Sequence, residues 1–531
     1  MELFVINHMS YKKETTPGSK KPLLLPSILM FFCGIFGTYC SNFPQFAPSG
    51  EPDDAKNEGK HAPGQLSTSE LQEKNTRHAL ELFQTLYSEY TMDIAGTPKD
   101  SSDDVLVGAQ RGYLGKPETP EAHSVLVRYG RIWAYDTGIG LSLAVANEDP
   151  TAHRRALWIL HNGRYIQDPK NPEMSVFAGW PFSMNQAHLG DNWEDMRRVT
   201  GANAFVAIGL ADYLASDLFQ ELSPADQLQF STFFGEVLKG ILYHFEMDGP
   251  NEGLISAGWS INALDEAETK NAYYELLDVI GYGAQKVDGY SKTIETTRAE
   301  HIVTEHCNDV LKLLNLTLRN FDTLLGFEGA PYTYQDLNAL RLKLRVSTLD
   351  KLFDKKERRM VTGRNAAGIP SESTAIDNAS WLALSIDLYE LNSKQIEVVA
   401  DSLAYTVSNF TADFTIGDNA YFGAHYFSDG FEDPYAGRST TSSKSYHIEA
   451  TCGLIYGLLR FSQVFPDHPN SPLFYDVAVK LWADMQGFIN DFGFVYASAS
   501  ENNTSEPKEA SISAIWYLMT LNDFDDDLHS Q

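Results

Sequence analysis

From residue 66 onward, two hydrophobic patterns alternate along the chain. In the first, apolar residues recur every three or four positions on an otherwise polar background, which predicts amphipathic helices with one buried face. The first such stretch, 66–90, opens with Ser67 three residues before Glu70, a capping box. Asp149-Pro150 starts a second, which Gly163 ends, and Ser223-Pro224 starts a third reaching about residue 246. The segment 332–354 is a fourth, a helix capped by Ser393 and running to about Phe410 is a fifth, and Ser471-Pro472 opens a sixth. In the second pattern nearly every position is small or apolar, as in a helix buried on all sides. It covers 136–146, 200–214, 304–318, 373–388, 445–459 and 509–521.

Six amphipathic helices therefore alternate with six apolar ones. Anchors at Asp136, Asn203, Glu305, Asp377, Glu449 and Glu509 are 67, 102, 72, 72 and 60 residues apart. An insertion at about 247–303 accounts for the long interval, and the remainder is the period of a helical hairpin plus a loop. Twelve helices, alternately exposed and buried, predict an all-α (α/α)6 barrel in which the apolar set lines the inside. An open superhelix of repeats has shorter loops and a more uniform period. The barrel domain is expected over 66–525.

The first 65 residues follow a different rule. Lys12, Lys13, Lys20 and Lys21 precede the short apolar run PLLLPSILMFFCGIFG, and a polar, Pro-rich stretch follows. This is the layout of an export signal or an N-terminal membrane anchor over 1–40, with a disordered linker over 41–65. The expected location is therefore periplasmic, secreted, or membrane-anchored through the N-terminus.

Composition narrows the partners. Against 41 Lys and Arg stand 71 Asp and Glu, a net charge of -30, so the phosphate field of nucleic acids would repel the chain. Four cysteines are too few for a disulfide scaffold in 531 residues, and no CxxC or Cys/His ligand spacing appears. Cys307 and Cys452 fall in apolar helices and read as small hydrophobes. No Gly-rich phosphate loop, GxSxG elbow or HExxH is present, so neither a cofactor nor a metal is expected. A monomer is expected.

The segments WAYDTGIGLSLAVA, TEHCNDVLKLL, ESTAIDNASWLALS, YHIEATCGLIYGLL and SISAIWYLM resemble the inner helices of the six-hairpin glycosidase superfamily. The resemblance implies that the loops before the inner helices gather at one end and form a cleft. It also implies carbohydrate chemistry: many such toroids are inverting glycoside hydrolases with two carboxylates, and some relatives are lyases or epimerases. No catalytic pair carries over by position.

If the inner helices share polarity, Asp136, Glu305, Asp377 and Glu449 meet at that end, with Tyr135, Arg128, His306 and His447 beside them. An acid to protonate the leaving oxygen and a base to activate water are what glycoside hydrolysis requires, about 6.5–9.5 Å apart for inversion. Trp133, Trp180, Trp193 and Trp259 fall in loops on the same side and are candidates to stack on sugar rings. Trp158, Trp381, Trp482 and Trp516 fall inside helices and are expected to pack. Glu372, in the loop before the fourth inner helix, is a reserve acid. The competing explanation for each carboxylate is plain helix capping, since first-turn acids satisfy free N–H groups and the helix dipole. The predicted function is an exported glycoside hydrolase acting on a glucan or oligosaccharide. The alternative is a non-catalytic toroid that binds glycans or cell-envelope partners.

Overall fold

The computed structural model describes residues 131–146, 148–149, 151–168, 171–180, 183–185, 198–262, 295–416, 419–425 and 446–485, with short strands at 92–93, 104–105, 109–110 and 498–499. Among the described residues, ten helices of nine or more residues carry the architecture. The inner ones are α1 (Ala134–Ala146), α3 (Thr200–Ala215), α5 (Thr304–Arg319), α7 (Asp377–Ser385) and α9 (Ile448–Val464). The outer ones are α2 (Ala152–Asn162), α4 (Pro224–Leu242), α6 (Tyr334–Lys351), α8 (Ser393–Phe410) and α10 (Ser471–Met485). The first outer and last inner helices of the sequence prediction, like the N-terminal run, lie outside the described residues. Among the described residues no helix is long and apolar enough to cross a membrane.

The inner helices touch in chain order: α1 packs on α3, α3 on α5, α5 on α7 and α7 on α9. Each outer helix covers the inner ones next to it: α4 lies on α3, α6 on α5, α8 on α7 and α9, and α10 on α9. This is the (α/α)6 toroid expected from the alternation. Burial follows the same division. In α3 every residue except Asp212 and Ala215 is buried. That requires close approach, and glycine supplies it at the α1–α3 crossing. A Cβ on Gly138 would stand 2.1 Å from the Phe205 carbonyl oxygen, and one on Gly209 would stand 2.3 Å from that of Gly138.

Three of the outer helices begin where their caps dictate. Ser223 accepts from the Asp226 N–H with Pro224 in the first turn of α4, and Thr333 with Asp336 forms a capping box for α6. At α8 the cap is Asn392, boxed with Gln395, one residue before the predicted Ser393. The larger difference lies between helices. Segments read as loops form antiparallel hairpins, such as Thr411–Ile416 with Asn419–Ala424 and Arg164–Asp168 with Asn171–Gly179. These runs are too short to show a period against the helical background.

Four inner helices start directly from a short paired strand. Arg131–Trp133 leads into α1, Arg198–Val199 into α3, Ile302–Val303 into α5 and Tyr446–His447 into α9. Their partners are segments of neighbouring connections: Ser183–Asn185, Gly258–Asn262, Gly363–Arg364 and Ser498–Ala499 respectively. The paired backbone fixes where each inner helix begins and so sets the rim of the toroid.

Candidate active site

The four predicted acids all fall within the first three positions of an inner helix: Asp136 in α1, Glu305 in α5, Asp377 in α7 and Glu449 in α9. At the corresponding place in α3 stands Gly201. For Asp136, Glu449, Trp133 and His447 the backbone is described, and Arg128 and Trp193 lie outside the described residues. The side chains of Tyr135, Glu305, His306 and Asp377 come together with one acid that the pattern alone did not single out, Asp309.

Asp309 lies one turn below Glu305 on the same face of α5, at the i, i+4 spacing that aligns side chains on a helix. It has no exposed surface. The Tyr135 hydroxyl, reaching across from α1, lies 3.2 Å from Glu305 Oε1 and 3.1 Å from Asp309 Oδ2. From α7, one turn below Asp377, Trp381 donates its Nε1–H to Asp309 Oδ1 at 2.5 Å. Phe205, one turn below Gly201 on α3, closes the floor. Its ring stacks on Trp381 at 5.4 Å and leans on Tyr135 at 4.8 Å. The lumen thus has two layers. Glu305 and Asp377, both partly exposed, form the rim, and Phe205, Asp309 and Trp381 form a buried floor. Tyr135 spans the two.

Gly201 makes this arrangement possible. A Cβ there would stand 2.4 Å from Asp309 Oδ2, 2.5 Å from His306 Cδ2 and 2.5 Å from the Tyr135 hydroxyl. His306 is buried against this glycine, at 2% exposure.

The electrostatics follow from burial. Loss of hydration pushes the Asp309 carboxyl well above the usual carboxylate range, and the charge of Asp377 pushes it the same way. The hydrogen bonds from Trp381 and Tyr135 oppose that rise. The Tyr135 phenol is likewise driven upward, by burial first and then by the Asp309 and Glu305 carboxyl groups facing it. A buried acid with raised proton affinity beside partly exposed carboxyl groups is a pattern that supports proton transfer.

Glu305 has a contact that helix capping does not require. The first N–H of α5 is taken by the Thr362 carbonyl at 2.9 Å, that of α3 by the Ala257 carbonyl at 3.0 Å, and neither N-cap residue uses its side chain. Glu305 contacts Tyr135 across the lumen.

Two predicted sugar-stacking residues are corrected. Trp180 is 1% exposed, with its Nε1–H donated to the Ile159 carbonyl at 3.0 Å and its backbone N–H donated to Asn203 Oδ1 at 2.7 Å. Trp259 is 2% exposed, stacked on Tyr243 and edge-on to His244. Both sit on or beside hairpin strands whose pairing folds them inward, so neither offers a ring face to a ligand. Trp158, Trp381 and Trp482 pack inside as expected. The reserve acid Glu372 is exposed, and its carbonyl accepts from Arg359. No group of three or more His, Cys, Asp or Glu among the described residues has the arrangement of a metal site.

No protein-family model matches the chain, and no curated protein matches it. Solved structures do. A cellobiose 2-epimerase from Spirochaeta thermophila superposes with a TM-score of 0.52 at 11% identity, over 87% of this chain and 99% of that one. The cellobiose 2-epimerase from Bacillus thermoamylovorans gives 0.51 at 12%, over 85% and 98%. A D-mannose isomerase gives 0.51 at 12%, over 88% and 98%. At such identity the likeness is one of fold alone, an (α/α)6 toroid.

Proposed function

We propose that this chain is a carbohydrate-processing enzyme whose reaction takes place at the rim of the toroid, over the Tyr135–Glu305–Asp309–Asp377 cluster. The observation that carries the reading is the phenol of Tyr135 joining a partly exposed carboxyl to a fully buried one. Ordinary packing has little use for two carboxyl groups and a phenol at one point, because each costs desolvation. Proton-transfer chemistry needs such groups held at unequal proton affinities. The three superposable toroids act on sugars by their names, which supports a carbohydrate as substrate.

Within that class the first reading is glycoside hydrolysis, with Glu305 and Asp377 as the carboxyl pair and Asp136 and Glu449 completing the rim. A second reading is favoured by those same neighbours, two epimerases and an isomerase, whose reactions rearrange a sugar without cleaving a glycosidic bond. One experiment separates them. The chain is incubated with a panel of neutral oligosaccharides in deuterated water, and both new reducing ends and carbon-bound deuterium are measured. New reducing ends identify a hydrolase, and deuterium on carbon without cleavage identifies an epimerase or isomerase. Glu305→Gln and Asp377→Asn should each lower turnover by at least about 10²-fold, the scale of a lost acid or base, while sugar binding persists. Binding by the wild type with no turnover of either kind would favour a non-catalytic glycan-binding toroid. The N-terminal layout supports export as part of the proposal, testable by fractionating cells that express the full chain.

A further inference from the structure

The Tyr135 hydroxyl carries one proton and lies within hydrogen-bonding distance of two carboxyl oxygens, Glu305 Oε1 at 3.2 Å and Asp309 Oδ2 at 3.1 Å. A phenol donates once. Both contacts are full hydrogen bonds only if one of the carboxyl groups is itself a donor to the phenol oxygen. Two features decide which. Asp309 has no exposed surface, whereas Glu305 is partly exposed, so water stabilises the anion at Glu305 and not at Asp309. Moreover, Trp381 Nε1–H already donates to Asp309 Oδ1, marking that oxygen as the carbonyl acceptor and leaving Oδ2, the one against Tyr135, for the proton.

We infer that Asp309 stands as a neutral carboxylic acid whose O–H donates to Tyr135, and that Tyr135 in turn donates to Glu305, fixing Glu305 as the proton acceptor of the rim. The order is Trp381 N–H to Asp309 Oδ1, Asp309 Oδ2–H to Tyr135 Oη, and Tyr135 Oη–H to Glu305 Oε1. Every proton has one acceptor. Asp309 touches no reacting atom in this arrangement and is a positioning residue. The role given to Glu305 rests on the proposed reaction at the rim, whereas the protonation of Asp309 does not. The groups facing Asp309 are Tyr135 on α1, Asp377 on α7, and Glu305, His306 and Cys307 on its own helix. From α3 it meets Gly201, and Phe205 of that helix stacks on Trp381. Among the described residues no Lys or Arg is among these groups.

The first test is a difference infrared spectrum at pH 7 between the wild type and Asp309→Asn. The wild type should show the carbonyl stretch of a protonated carboxylic acid that the variant lacks. Loss of carboxylate bands alone would overturn the inference. The second test is thermal stability against pH. A buried acid whose folded pKa is raised leaves stability intact below its unfolded value of about 3.9 and lowers it as pH rises towards the folded pKa. The melting temperature of Asp309→Asn should therefore gain on that of the wild type between pH 4 and 8, and a gap independent of pH would count against a neutral Asp309. Should Asp309→Asn fail to fold, Tyr135→Phe still answers the question. Its protonated-carboxyl band should persist but move to higher frequency as the O–H loses its acceptor, and an unchanged spectrum would overturn the inference. None of these measurements needs a substrate. A protonated Asp309 without sugar turnover would sink the proposed function alone, and turnover without the band would sink this inference alone. Where turnover is found, Tyr135→Phe should also displace the acidic limb of its pH profile.

Discussion

Gly201→Ala is the sharpest test of how the lumen is built, because one methyl group meets three members of the cluster. The added carbon would stand 2.4 Å from Asp309 Oδ2 and 2.5 Å from both His306 Cδ2 and the Tyr135 hydroxyl. Contact at normal separation is about 3.5 Å or more, so each neighbour must retreat by about 1 Å. The three belong to different helices or different turns, α1 for Tyr135 and α5 for His306 and Asp309, and Phe205 and Trp381 back them from below. No single rotamer change relieves all three contacts. Overpacking of this kind costs about 1–3 kcal/mol, and a displacement of about 1 Å at reacting groups costs roughly 10²-fold in rate. The assay is paired: denaturant unfolding for stability, and the proposed sugar-processing activity for rate. The control is Gly249→Ala, where the backbone is left-handed at φ +78° and nothing lies within 4 Å of a new Cβ. It should lose about 1 kcal/mol from backbone strain and no activity. If Gly201→Ala matched the control in stability and kept full activity, the packing of Tyr135, His306 and Asp309 around this glycine would be refuted.

Phe205→Ala should cost about 3–5 kcal/mol in urea unfolding, the range for a large aromatic removed from a core, and should alter the emission of Trp381, on which Phe205 stacks. Asn203→Ala removes the acceptor of the Trp180 N–H and the donor to the Val199 and Trp180 carbonyls, so a loss of about 1–3 kcal/mol is expected. Activity would fall only through unfolding, which a measurement well below the melting temperature would show as little change. Burial pushes the Cys307 thiol up to about 12, so near pH 8 it stays a thiol, which is not the nucleophilic form. Peptide mapping after alkylation should find Cys307 modified only in denaturant, and modification of the native protein would contradict its burial.

The fold was legible because it rests on a pattern repeated many times. Each hairpin pairs one amphipathic helix with one apolar helix, and caps such as Thr333 with Asp336 mark where a helix must start. Hairpins such as Thr411–Ile416 with Asn419–Ala424 left no comparable signal, since six paired residues span too little chain for a period to emerge. That omission misplaced Trp180 and Trp259. A tryptophan between two helices looks like a loop residue open to solvent, but on a paired strand its direction is set by the ladder. Here the ladder turns Trp259 onto Tyr243 and leaves Trp180 under the hairpin that precedes it. Indole exposure is a property of the pairing partner, which for Trp259 includes Glu295–Arg298, more than thirty residues away.

The candidate cluster was legible at its rim and hidden at its floor, and helix geometry explains both. The predicted acids lie in the first turn of the inner helices, where dipole and free N–H groups draw carboxylates for structural reasons. Such residues are ambiguous one at a time. The second layer distinguishes them, because one turn further in the dipole benefit fades and Asp309 has no exposed surface. Four residues after Asp136, Asp377, Glu449 and Glu509 stand Gly140, Trp381, Gly453 and Ser513, whereas four after Glu305 stands Asp309. Among the described inner helices only α5 has a second carboxyl at this spacing from the first. A chain tolerates a buried acid there only when neighbouring helices bring hydrogens to it, and the residue four after Asp377 is a tryptophan with a single N–H to give. The pairing of an acid at i+4 on one inner helix with an indole at i+4 on the next is therefore the sequence signal that singles out Glu305 among its equivalents.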